Sequence, residues 1–347
     1  MMLSVKDENG KTYDLDESIG EGGQGCVFTV LGEESVVIKA IVDENNDIVQ
    51  DEKTYKEFKK KIRKVMALGE FKNVALPYVM LEKPNCGYVM LFMSGMFPIA
   101  KIMLPYVFKN KASKLLYIPN DLSKSIDHVI AKNQEEFIFS YHIFADLKKR
   151  LRCLINLAMI LVDFELHNVV YCDLSPNNIF ISKNHDDYEV WLIDLDNLSF
   201  QSEIKSAIGT PKYMAPEVTK GNPNTIYSDR YSFAIIAYQC LMLKNPFLGK
   251  LEENYSSWDE DDNDFEQAIS QGEVPWIWEK GDDSNRDEHS LNPQSFLTED
   301  LYDLFENTLN KKGRNHPTSR PSMQNWLESL INAYESLILR KVRFSDE

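Results

Sequence analysis

The sequence is short of several things, and each shortage excludes a class of protein. Cysteine is sparse and unpaired: Cys26, Cys86, Cys153, Cys172 and Cys240 are scattered, odd in number and form no C-x-x-C pair. That argues against a disulfide framework or a zinc site and fits a reducing compartment. No uninterrupted apolar run approaches the roughly 20 residues that span a bilayer. The stretch Met1 to Gly10 is polar and charged, unlike a secretory signal. Positive charge is also scarce overall: the formal net charge of the 347 residues is -16. A chain this acidic is not expected to bind nucleic acid or anionic lipid in general. The richest basic run, Lys59-Lys60-Lys61-Ile62-Arg63-Lys64, reads first as a solvated helix face. No repeat of solenoid spacing occurs. The expectation is a soluble, cytoplasmic protein, with secretion by a route that needs no signal peptide left open.

What is present is 43% hydrophobic residues, enough for a sizeable core. Residues 12 to 40 predict strand, glycine turn, strand, turn, strand, with the β-branched runs Val27-Phe28-Thr29-Val30 and Val36-Val37-Ile38. From Asp51 to Leu68, apolar residues recur at three- and four-residue spacing, which predicts a helix that Gly69 can end. Short strands are expected again from Val74 to Phe92. A long apolar-periodic helix is expected from Phe144 to His167, and strands at Asn178 to Ile181 and Val190 to Ile193. After Pro216 the pattern is mainly helical. Residues 98 to 140 and the acidic stretch 251 to 292 lack a sustained period and read as irregular insertions, the second with a short helix inside. The division expected is an N-terminal extension 1–11, a strand-rich lobe 12–93, a helical lobe 94–335 and a tail 336–347.

Gly20-Glu21-Gly22-Gly23-Gln24-Gly25-Cys26-Val27 contains G-x-G-x-x-G-x-V. Alone this is a weak signal, because glycine also simply makes hairpins. A β-branched strand follows it, where a dinucleotide fold would have a helix, so the context favours a hairpin flap over phosphates. About a dozen residues on, Val36-Val37-Ile38-Lys39 puts one lysine on an apolar strand. An edge strand with its charge in solvent would look the same. Coupled to a glycine flap, the lysine instead suits the α- and β-phosphates of a nucleotide. Such a lysine needs a carboxylate on the following helix. Glu57, near the middle of that helix, is the expected partner and Glu52 the alternative.

Tyr171-Cys172-Asp173-Leu174-Ser175-Pro176-Asn177-Asn178 sets an aspartate five residues before an asparagine, and Asp194 follows 16 residues later at the end of an apolar strand. Asp173 can receive the proton of an attacking hydroxyl. Asn178 and Asp194 offer the hard oxygen ligands that Mg²⁺ prefers. Any one of them alone reads as a turn residue or a cap. The order of all three, behind the flap and the lysine, carries the signal.

This ordered set resembles the eukaryotic-type serine/threonine protein kinase family, in a divergent bacterial branch. Asp-x-x-x-x-Asn and Asp194-Leu195-Asp196 stand where that family has H-R-D-L-x-x-x-N and D-F-G. Gly209-Thr210-Pro211-Lys212-Tyr213-Met214-Ala215-Pro216-Glu217 is similar to the segment that closes its activation loop. Asp229 resembles the buried aspartate that braces the catalytic loop, and Arg320 the late arginine that pairs with Glu217. The likeness spans roughly residues 12 to 335. It implies a bilobal α+β fold, with a small β-rich lobe carrying one main helix and a larger α-helical lobe. It implies ATP with Mg²⁺ or Mn²⁺, a protein substrate and scope for autophosphorylation; the acidic charge and the lack of a long apolar run add the expectation of neither nucleic acid nor membrane as a partner. The nucleotide would be held by Gly20, Gly22, Gly25, Val27, Val37, Lys39, Met90, Leu91, Met93 and Phe180. Asn178 and Asp194 would hold metal. Asp173, Lys39, Glu57 and Thr210 would serve the transfer.

The chain also departs from the family. Tyr171 and Cys172 replace the His-Arg before the catalytic aspartate, so independence of activation-loop phosphorylation is expected. Ser175 stands where a lysine usually contacts the γ-phosphate, with Lys212 and Lys205 as candidate substitutes. Asp196 replaces a glycine and reads as a turn-stabilising residue, or else as a further metal-linked carboxylate. These departures keep two alternatives open: a pseudokinase that acts as a nucleotide-gated binding module, and a small-molecule kinase.

Overall fold

The computed structural model describes residues 3–22, 25–103, 145–184, 186–252, 264–286, 292–295 and 297–345. The chain divides into two compact units. The first holds residues 1–96 with 191–200; the second holds 97–190 with 201–347. Most of the irregular insertion expected at 98–140, and the acidic heart of the one at 251–292, lie outside the described residues.

The first unit is built on an antiparallel sheet. In chain order its strands are β1 (Ser4–Lys6), β2 (Thr12–Gly22), β3 (Gly25–Val30), β4 (Glu33–Ala40), β5 (Val79–Met80) and β6 (Gly87–Leu91). Among the described residues they pair in the order β1-β2-β3-β4-β6-β5. Side chains alternate across a strand, so each apolar strand can feed two cores. Cys26, Phe28, Val30, Val36, Ile38 and Ala40 pack on one face with Val5, Tyr13, Leu15 and Val89. Val37, Tyr88 and Met90 point to the other face, which helix α1 (Glu52–Met66) covers with Tyr55, Phe58 and Ile62. Asp51 caps α1 by accepting from the Thr54 N–H at 2.7 Å. Gly69, at φ +97°, lies just past its end, close to where the periodicity stops.

Two features of this unit differ from expectation. Residues 4 to 6 are a paired strand of the sheet, in register Ser4 to Asp14 and Lys6 to Thr12, and not an extension. Residues 191–200 return to this unit because Leu192 bridges to Val74. Its N–H donates to the Asn73 carbonyl at 3.1 Å, and it accepts from Ala75 at 2.9 Å.

The second unit is mainly helical: α2 (Leu147–Leu166), α3 (Pro216–Thr219), α4 (Ile226–Met242), α5 (Asp264–Ser270), α6 (Glu299–Leu309), α7 (Lys311–Asn315) and α8 (Met323–Ser345). Helix α4 is apolar all round and correspondingly central: Phe233, Ala234, Ile236, Ala237 and Leu241 are fully buried. Trp326 of α8 sits edge-on to Phe233 at 5.4 Å and to Phe305 of α6 at 4.9 Å. The segment 336–347, expected as a tail, continues α8 as far as Ser345. The chain therefore has the strand-rich and helix-rich halves of a bilobal α+β fold. Among the described residues, no helix is long and apolar enough to cross a membrane.

Candidate functional site

The glycine segment forms the β2–β3 hairpin. Gly20 pairs with Val27, Glu21 with Cys26 and Gly22 with Gly25. Gly25 needs to be glycine: its φ is +135°, and a Cβ there would lie 2.3 Å from the Ala40 carbonyl oxygen. Gly20 has open space where a side chain would stand. Val27 lies opposite Lys39 on β4, and Val37, two residues before Lys39, lies opposite Met90 on β6. Val37 and Met90 are buried in the cluster under α1, with Val27 packed at its margin. Leu91 is 43% exposed and Met93 half-buried, beyond the end of β6.

Lys39 is buried, and its ammonium is held by two carboxylates of the same unit. It donates to Asp194 and, at 2.9 Å, to Asp196. Burial works to lower its pKa, but Asp196 and then Asp194 more than offset this and hold the ammonium charged, with its pKa raised. The expected partner is not the one found. Glu57 lies exposed on α1 and forms no hydrogen bond or ion pair with Lys39 among the described residues, while Glu52 pairs with Lys83 at 2.9 Å and with Lys56 at 3.2 Å. Asp196, read from sequence as a turn residue or a metal-linked carboxylate, is 2% exposed and also accepts from the Tyr88 hydroxyl at 2.5 Å. Asp194 has a left-handed φ of +56°, which turns the chain so that Leu195 is buried.

In the second unit Asp173 follows a strained residue: Cys172 has φ +73°, a conformation uncommon without glycine. Two side chains hold it there. Asp229, in the first turn of α4, accepts from the Tyr171 N–H at 2.7 Å and the Cys172 N–H at 3.3 Å. Asn224 donates to the Cys172 carbonyl at 2.9 Å and to Ile208 at 2.8 Å, and accepts from the Ile208 N–H at 2.9 Å. That neutral bridge ties the Asp173 loop to the segment before Thr210. The Thr210 hydroxyl donates to Asp173 Oδ1 at 2.8 Å. Asn178 donates its amide to the Asp173 carbonyl at 3.0 Å. Phe180 is half-buried on the strand Ile179–Ser182. Ser175 is buried, Lys205 is exposed, and Lys212 pairs with Glu266 at 2.7 Å, on the surface.

Burial pushes the Asp229 carboxyl up to about 7, against the two backbone bonds that favour its anion. In the unfolded chain an aspartate titrates at about 3.9. The folded form thus binds the proton more tightly, so this stabilisation is full at low pH and is lost as pH rises from about 4 to about 7. Asp229→Asn removes the titration while keeping an oxygen for one of the two N–H groups, which meet different carboxylate oxygens in the wild type. Between about pH 5 and pH 8, the wild type is expected to lose melting temperature relative to this variant. A difference that stays constant across that range contradicts the assignment.

Residues 161–330 match the family model of the protein kinase domain. This part of the chain, a little under half of it, is a protein kinase domain. Over 267 residues, 70% of this chain and 24% of the relative, it is 26% identical to the serine/threonine-protein kinase PknD of Protochlamydia amoebophila. Over 97 residues, 26% of the chain and 12% of the relative, it is 35% identical to the serine/threonine-protein kinase pkn2 of Myxococcus xanthus. It is also similar to the rabbit (Oryctolagus cuniculus) serine/threonine-protein kinase 17A, at 33% identity over 86 residues. The chain spans about an eighth to a quarter of these relatives' lengths.

The segment after Thr210 ends on a buried ion pair. Arg320 meets both oxygens of Glu217 at 2.7 Å, and also donates to the carbonyls of Gly313 at 2.8 Å and Tyr227 at 2.9 Å. Protein kinases use ATP with a divalent metal, and each unit offers an oxygen donor of the kind such an ion takes. The Asn178 amide nitrogen is engaged by the Asp173 carbonyl, and its amide oxygen is the atom that would serve as a ligand. The Asp194 side chain is 31% exposed, so its carboxylate is reachable. Among the described residues no cluster of three or more His, Cys, Asp or Glu forms a metal site. Mg²⁺ is usually held by one or two protein ligands, with phosphate and water completing the shell.

Asn224, Tyr88 and the true setting of Asp196 escaped the sequence reading. Asn224 sits in Gly221-Asn222-Pro223-Asn224, which is indistinguishable from an ordinary turn, and Tyr88 reads as one more strand residue. Asp196 carried a signal, since it replaces a glycine in a metal-binding motif, but nothing local said what it would meet.

Proposed function

We propose that this chain is an ATP-dependent serine/threonine protein kinase that transfers the γ-phosphoryl group to a protein hydroxyl without prior phosphorylation of its activation loop. The observation that carries the proposal is the setting of Asp173. One carboxylate oxygen is fixed by the Thr210 hydroxyl, and the other has no partner among the described residues. A carboxylate held by one oxygen and open at the other suits the reception of a hydroxyl proton.

The remaining roles follow by residue type and by order in the chain. Gly20, Gly22 and Gly25 let backbone N–H groups approach phosphate oxygens, and Lys39 positions the α- and β-phosphates. Val27, Val37, Met90 and Phe180 supply apolar contact for adenine, and the backbone of Leu91 and Met93 supplies its polar recognition. Asn178 and Asp194 would hold Mg²⁺, which supplies neutralisation of phosphate charge. Thr210 fixes the orientation of Asp173 and favours an aliphatic hydroxyl as acceptor. The neutral Asn224 bridge supports independence from activation-loop phosphate: the loop and the following segment are joined without a cation that needs a phosphate partner.

The test is a phosphatase-treated preparation incubated with γ-labelled ATP, Mg²⁺ and generic protein substrates, followed by phosphoamino-acid analysis. Phosphoserine and phosphothreonine are expected from the untreated and treated protein alike. Dominant phosphotyrosine rejects the serine/threonine assignment. Activity that vanishes on dephosphorylation and returns on rephosphorylation rejects the unregulated loop.

A further inference from the structure

The carboxylates that secure Lys39 lie outside helix α1. We propose that Asp196 is the positioning residue for Lys39, a task the family resemblance assigned to a helix glutamate. The inference rests on the phosphate-binding role proposed for Lys39.

Lys39 on β4 and Tyr88 on β6 are directly opposed across the antiparallel pair, so their side chains rise side by side from one face of the sheet. Asp196 lies over both. Its Oδ2 accepts from the ammonium at 2.9 Å and its Oδ1 from the Tyr88 hydroxyl at 2.5 Å. Each oxygen of a buried carboxylate is thus committed to a different strand, which fixes both its position and its rotation. Tyr88 is itself held, its ring stacked 6.1 Å from Phe58 of α1 at an interplanar angle of 14°. The next residue is anchored too: Asn197 Oδ1 accepts from Lys61 of α1 at 3.0 Å.

Two carboxylates on one lysine give the cluster a spare negative charge. Asp194, partly exposed, is the one suited to metal, whereas Asp196 at 2% exposure is not reachable from solvent. When Asp194 turns to a metal, Asp196 keeps the lysine paired, and a buried ammonium needs such a partner. Glu57 has no corresponding geometry: it is exposed and, among the described residues, forms no hydrogen bond or ion pair with Lys39 or Tyr88. The consequence is functional. The lysine is coupled to a residue two positions from Asp194, so phosphate and metal binding are aligned by one short segment. Movement of α1 is not needed to deliver a counter-ion.

Two measurements test this. The first is steady-state kinetics of Asp196→Asn, Tyr88→Phe and Glu57→Gln. Asp196→Asn is expected to lower kcat at least tenfold more than Glu57→Gln does, with KM for ATP within threefold of wild type, and Tyr88→Phe is expected to fall between them. The reverse ranking, or a loss confined to KM, overturns the assignment. The second needs no variant: a crystal structure of the wild type with a non-hydrolysable ATP analogue and Mg²⁺. Lys39 is expected within hydrogen-bond distance of Asp196. A complex in which Lys39 has moved to Glu57 and left Asp196 overturns it. Absence of phosphoryl transfer by the wild type, with Lys39 on Asp196 in that complex, contradicts the proposed activity and supports this contact.

Discussion

Asp173→Asn is expected to slow phosphoryl transfer by about 10²- to 10⁴-fold, the usual contribution of a positioned general base. The substitution is close to isosteric. The amide oxygen can still accept from the Thr210 hydroxyl, which now meets Asp173 at 2.8 Å, and the loop is held by its neighbours Asp229 and Asn224. Folding should therefore be spared while the proton acceptor is lost. Initial rates with labelled ATP, read beside melting curves, separate the two effects. Near-wild-type activity in a folded Asp173→Asn protein excludes the role assigned to this residue.

Arg320→Ala carries the largest expected effect on stability. The guanidinium is buried and spends its donors on both oxygens of Glu217 and on the carbonyls of Gly313 and Tyr227. Truncation leaves a largely buried carboxylate without its cation and two carbonyls without their donor. Breaking one side of such a pair costs about 3–5 kcal/mol. At roughly 2–4 °C per kcal/mol for a unit of this size, the melting temperature should fall by at least about 6 °C. The double variant with Glu217→Gln should lose less than the sum of the two single changes, because the unpaired charge is gone. A melting temperature within about 2 °C of wild type would show the pair to be incidental.

Local pattern made much of this legible. The β-branched runs at 27–30 and 36–38 are β3 and β4, and the apolar spacing of Tyr55, Phe58, Ile62 and Val65 is the buried face of α1. The long helix before the Asp173 loop also lies where periodicity puts it, trimmed to Leu147–Leu166. What escaped is non-local. Strand β1 is three residues long, too short for an alternation to register, and it exists because β2 offers it an edge. The allocation of residues 191–200 to the first unit depends on the Val74–Leu192 bridge, over a hundred positions apart in sequence. The partner of Lys39 failed for the same reason. A helix pattern can say which residues share a face, but not that a carboxylate 157 positions away will reach the lysine first. Asn224 shows the limit in another form: a turn-forming asparagine and a buried bridging one have the same local sequence signature.

Phosphoryl transfer by the wild-type chain is the most direct test of the central claim. Purified protein, γ-labelled ATP and Mg²⁺ are incubated with generic serine- and threonine-bearing substrates, and labelled protein is quantified against an Asp194→Ala control. The account predicts time-dependent, Mg²⁺-dependent label on protein from the wild type and none above background from the control. Measurable ATP binding by the wild type with no label transferred to itself or to any substrate would contradict it, and would make the chain a nucleotide-binding module in place of an enzyme.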